Sequence, residues 1–85
     1  MTRAEFQALY AECLAEAIKA NPDHYFYPAE KAPIVAAKMC KTMAKKGTGH
    51  VTITSSEGFR RLAKRLGIKH THQAVAAAWN AYTKE

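Results

Sequence analysis

At 85 residues the chain has room for one hydrophobic core, since two would leave about 40 residues each, near the lower limit for unaided folding. Hydrophobic residues at 48% and charged residues at 24% exclude wholesale disorder, and no apolar run approaches the ~18 residues of a membrane span. The formal net charge of +6 is unevenly placed: residues 1–30 carry two basic against five acidic side chains, and residues 31–85 carry eleven against two.

Thr2-x-x-Glu5 spells a capping box directly before an apolar-periodic run. Phe6, Leu9, Tyr10, Cys13, Ala17 and Ile18 recur at three- and four-residue steps, which predicts a helix over about 3–20 with Glu5, Glu12 and Glu16 on its outer side. Asn21-Pro22 stops it, because asparagine tolerates a left-handed cap and proline cannot continue the ladder. A connection follows, with Pro22, Pro28 and Pro33 around His24-Tyr25-Phe26-Tyr27. Three adjacent aromatics cannot all face one way, and at least one is expected to plug the core beneath the loop.

The second helix runs from Ala29 or Pro33 to Lys46, with proline tolerated at a first helical position. Its apolar face is Val35, Ala36, Met39, Cys40 and Met43, whereas Ile34, Lys38, Lys41 and Lys45 form a separate stripe. Gly47-Thr48-Gly49 ends it. His50-Val51-Thr52-Ile53-Thr54 alternates and is β-branched, so it reads as a short extended segment. A lone strand needs a partner. It either pairs with a second copy in a homodimer or serves as an extended linker, and the linker is the expected form.

Thr54-x-x-Glu57 is a second capping box. The helix behind it carries Phe59, Leu62, Ala63 and Leu66 on one face and Arg60, Arg61, Lys64 and Arg65 on the other. Gly67 caps it. Thr71 is the expected N-cap of a fourth helix over about 72–83, whose apolar face is Val75, Ala78, Trp79 and Tyr82. The fold class that results is all-α: one domain over 1–85, a compact bundle of about four short helices with an extended segment before the third. Its expected core also includes Val51, Ile53 and Ile68.

The stretch from Phe59 to Ile68, followed by Lys69-His70-Thr71-His72-Gln73 and another helix, resembles the helix-turn-helix of DNA-binding proteins, over about residues 55–83. Ala63 stands at the small position where the two helices would cross, Gly67 supplies the turn, and Ile68 is the buried residue after it. The family expects an aliphatic residue where Gln73 stands; here that residue is Val75, so the turn is about two residues longer. The resemblance implies that the second helix enters the major groove with its first residues on base edges. His70, His72 and Gln73 hold those positions, and glutamine can bond an adenine edge bidentately. Arg60, Arg61, Lys64, Arg65 and Lys69 would hold phosphates, and Lys38, Lys41 and Lys45 offer a further phosphate-contacting stripe. Phosphate contacts need only positive charge at a suitable reach.

Leu66-Gly-Ile-Lys-His-Thr71 and the alanine-rich helix after it look like the end of small proteins encoded by bacteriophages and prophages. That likeness implies a helical accessory protein in a bacterial host and transfers no site residues. The first residues lack a charged-then-apolar leader pattern, so the expected location is cytoplasmic. Cys13 and Cys40 are expected as buried thiols. Cys13, Cys40 and the histidines lack the paired spacing of a zinc site. No nucleophile–base constellation and no phosphate-cradling glycine loop appears. The reading is therefore a non-enzymatic protein without cofactor or metal that binds nucleic acid, with duplex DNA favoured. The competing reading is a phage-encoded protein-interaction module that inhibits or redirects a host protein, its basic face meeting an acidic surface or its acidic first helix meeting a basic groove.

Overall fold

The computed structural model describes residues 1–47 and 57–82. Helix α1 spans Arg3–Ala20, α2 spans Ala32–Lys46, α3 spans Glu57–Leu66 and α4 spans His72–Ala81; two short 3-10 turns, Pro22–His24 and Ala29–Lys31, lie between α1 and α2. The all-α expectation holds. The extended reading of residues 50–54, with Val51 and Ile53 in the core, and the second capping threonine, Thr54, fall outside the described residues.

The start of α1 follows from its first residues. Glu5 N–H donates to Thr2 Oγ1 at 3.0 Å, and Thr2 N–H donates to Glu5 Oε1 at 2.8 Å, completing the capping box. The far end corrects one expectation. Asn21 is not left-handed, with φ −141°, and its N–H still reaches the Ala17 carbonyl at 3.0 Å. Pro22 then opens a 3-10 turn instead of a glycine-like reversal. At the next helix, Ala29–Lys31 winds as a 3-10 turn, and α2 follows at Ala32 with Pro33 in its first turn. Proline fits there because that N–H has no helical acceptor.

Helix α1 is central, packing closely on both α2 and α3. That double contact widens its buried arc. Phe6, Tyr10, Cys13, Leu14, Ala17 and Ile18 are all buried, while Leu9 is only half-buried. On α2 the buried residues are Ala32, Ala36, Cys40 and Met43; Val35 and Met39 lie half-buried beside them. Phe59, Leu62 and Ala63 are buried on α3, with Leu66 and Ile68 half-buried, and Val75 and Trp79 are buried on α4. Gly58 allows α1 and α3 to approach: a Cβ there would lie 2.9 Å from Leu14 Cδ1 and 3.1 Å from Leu14 Cα.

Aromatic rings tie the helices together. Phe6 takes Trp79 edge-on at 5.3 Å and Tyr82 at 5.8 Å, and Tyr10 takes Phe59 edge-on at 6.4 Å. Trp79 is buried as expected, and its ring packs on Phe6 of α1. In the loop, Tyr25 and Tyr27 meet edge-on at 5.8 Å and pack against the core, whereas Phe26 is fully exposed.

Candidate nucleic-acid interface

The amphipathic pattern of α3 decides its orientation. Burial of Phe59, Leu62 and Ala63 against α1 turns Arg60 and Lys64 out to solvent, four residues apart and so neighbours on one face. Neither has an ion-pair partner among the described residues. Arg61 and Arg65 are arranged differently. Arg61 Nε lies 3.6 Å from Glu57 Oε1, one turn back. Arg65 crosses to α1, with Nη1 3.0 Å from Glu12 Oε1, 3.9 Å from Glu16 Oε2 and 4.0 Å from Cys13 Sγ. The Glu12 carboxylate accepts that hydrogen bond and pushes the Arg65 pKa up. Arg60, Arg61, Lys64 and Arg65 line one shallow cleft with Glu16 and Glu57. Four cations against two carboxylates leave it positive. The spacing in α1 places its carboxylates on an outer face. It carries no sign that two of them meet α3, because the pairing spans 53 residues.

The turn after α3 is closed by backbone geometry. Gly67 sits at φ +71°, where a side chain would be strained. Its N–H reaches the Lys64 carbonyl at 3.3 Å, and Ile68 N–H reaches the Ala63 carbonyl at 3.1 Å. These two bonds make a Schellman cap. Lys69 is exposed in this turn. His70 folds back, its ring 5.5 Å from Phe59 and half-buried, and its Nε2 is buried with no hydrogen-bond partner among the described residues. It therefore does not share the outward position of His72 and Gln73, which are exposed on the first turn of α4. Thr71 caps that helix as expected, accepting from Ala74 N–H at 3.2 Å. The positive end of the α4 dipole thus lies beside Lys69 and His72.

The second basic stripe stands on another helix. Lys38, Lys41 and Lys45 are exposed on α2. None of them lines the α3 cleft, and Lys41 borders a separate depression between α1, α2 and Trp79. The two stripes are therefore distinct surfaces flanking α1. Backbone packing on α3 comes chiefly from α1, while α4 attaches at the start of α1. There Arg3 Nε and Nη2 donate to the Trp79 carbonyl at 3.3 and 3.2 Å, and the guanidinium lies 4.2 Å over the Trp79 ring. Periodicity within helices could not have found this contact, which joins residues 76 apart.

Cys13 and Cys40 are free and buried. Burial pushes the Cys13 thiol up and takes Cys40 to about 12. Among the described residues no group of three histidine, cysteine or acidic side chains is placed to hold a metal ion. No helix among them is long and apolar enough to cross a membrane. Neither a protein family, nor a curated protein, nor a solved structure matches the chain.

Proposed function

We propose that the protein binds nucleic acid without catalysis, duplex DNA in preference, as a small accessory protein of phage origin acting in a bacterial cytoplasm. The observation that carries this reading is the outer face of α3, where Arg60 and Lys64 project without ion-pair partners among the described residues beside a net positive cleft. Arg60 and Lys64 are the principal phosphate-holding groups. Lys69, His72 and Gln73 follow on the turn and the start of α4, where a base edge or a phosphate would meet the helix N-terminus. Arg65 contributes by fixing α3 to α1, and its charge is shared with Glu12. Lys38, Lys41 and Lys45 supply a second contact surface. The phage origin and the bacterial host rest on the sequence resemblance.

The test is a salt titration on random duplex DNA. Wild type should bind at low salt with a steep dependence of log K on log salt. Arg60→Gln with Lys64→Gln should flatten that slope by about 0.9 for each phosphate that is no longer neutralised. Gln73→Ala should alter sequence preference and leave the slope unchanged, because base contacts specify while phosphate contacts position. Absence of binding by the wild type at low salt overturns the reading. Retention of the full slope in the double variant moves the interface to the α2 stripe.

A second reading, docking on a protein surface, is supported by two exposed apolar side chains, Phe26, fully exposed, and Ile34, 51% exposed.

A further inference from the structure

On the side of the molecule served by α2, the helices leave a depression that the α3 interface does not use. It is lined mostly by apolar residues, Ala37, Cys40, Ala44 and Trp79 among them, together with Gln7, Arg3 and Lys41. None of the described residues lining it is acidic. Arg3 is held in place by its two bonds to the Trp79 carbonyl and by the ring beneath it. Those bonds use Nε and Nη2, and Nη1 takes no part in them. The hollow measures about 350 Å³ and is open to solvent. An apolar side chain entering it would cover the alanine methyls beside the Arg3-covered indole, and a carboxylate beside it would meet Arg3 or Lys41. A free small molecule would stay largely wet in so open a hollow, whereas ligand pockets bury roughly 70–90% of a ligand's surface. The occupant that fits is a side chain carried by a larger chain.

We infer that the depression between α1, α2 and Trp79 is a docking site for an acidic segment of a partner protein, taking one aliphatic side chain flanked by carboxylates. The site is separate from the α3 face and shares only Lys41 with the α2 stripe. Charge complementarity sets the polarity of the partner, and the alanines of α2 set the size of the inserted side chain. Lys41 faces the partner directly. Arg3 is pre-ordered, so less side-chain entropy is given up on docking.

Trp79 is the single tryptophan, so its emission reports occupancy of the site. The probes are two acetylated and amidated tripeptides, Asp-Leu-Glu and Lys-Leu-Lys. The acidic peptide should change Trp79 emission saturably, and the basic one should not. Lys41→Glu should weaken the acidic peptide by about two- to fivefold. Ala44→Leu, at an exposed position, should fill the hollow and abolish the response while the circular dichroism stays that of wild type. Amide shifts on titration should centre on Ala37, Lys41 and Ala44. Equal responses to both peptides, a response that survives Ala44→Leu, or shifts centred on α3 would each overturn the assignment. So would a matching change in Trp79 emission caused by duplex DNA, which would give this surface to nucleic acid.

Discussion

Leu62 lies wholly buried on α3 against α1, and its truncation to alanine should cost about 2–5 kcal/mol in denaturant unfolding. Gly58 tests the same interface from the backbone side. Because a Cβ there would press on Leu14 Cα as well as on its side chain, Gly58→Ala should destabilise by roughly 1–3 kcal/mol. A neutral result would show that α3 can slide away from α1 without penalty. The thiols provide a third check. With burial raising the pKa of both, and Cys40 to about 12, neither should react with a thiol-exchange reagent in native protein near neutral pH, and both should do so on unfolding. At this scale most large core residues are legible from spacing: Phe6, Tyr10, Phe59, Leu62 and Val75 are all buried. Leu14 and the role of Gly58 are not. A single apolar stripe describes a helix with one neighbour, and α1 has two. His70 departs from its expected outward place for a related reason, since the Phe59 ring that draws it inward sits 11 residues earlier.

The helices themselves are readable nearly to the residue, because their ends are written in local chemistry. Thr2 and Glu5 set the start of α1, Thr71 sets that of α4, and Gly67 ends α3. The end of α1 is less legible, because Asn21 precedes a proline that restricts it to extended geometry. The α1 cap makes a pH prediction. Glu5 is held below the ordinary carboxyl range, chiefly by the Thr2 backbone N–H and then by the Thr2 hydroxyl. A depressed folded value means that its contribution is present above the ordinary pKa of 4.5 and is lost as pH falls through the folded value. The stability difference between wild type and Glu5→Gln should therefore shrink toward zero in acid, as followed by thermal unfolding across that range. The turn supplies another. Gly67→Ala must hold a side chain at φ +71°, which should cost about 1–2 kcal/mol and loosen the placement of α4.

Among the described residues, ion pairs join two helices at one place. The acidic first third and the basic remainder meet where Arg65 reaches Glu12 and Glu16. Solvent screens an exposed pair of this kind, so it contributes little to stability. In a double-mutant cycle, Arg65→Gln and Glu12→Gln should thus show a small coupling that fades as salt is added. The uneven charge is plain in the sequence, as is the existence of a basic helical face. How many of its cations are already paired is not, because that depends on which helix lies alongside. The two basic stripes are likewise legible singly, while their separation on two different partners of α1 is a property of tertiary packing.

The clasp of Arg3 and Phe6 on Trp79 orders events in time. A chain made from its N-terminus forms α1 first, and α2 can cover one side of it early. The Phe6 end stays uncovered until the segment 76 residues beyond Arg3 has been made. Contacts at such separation incur their loop-closure entropy before they return any stabilisation. Docking of α4 is therefore expected as the closing step of folding. Until then the aromatic end of α1 is exposed to other chains in the crowded space around the ribosome.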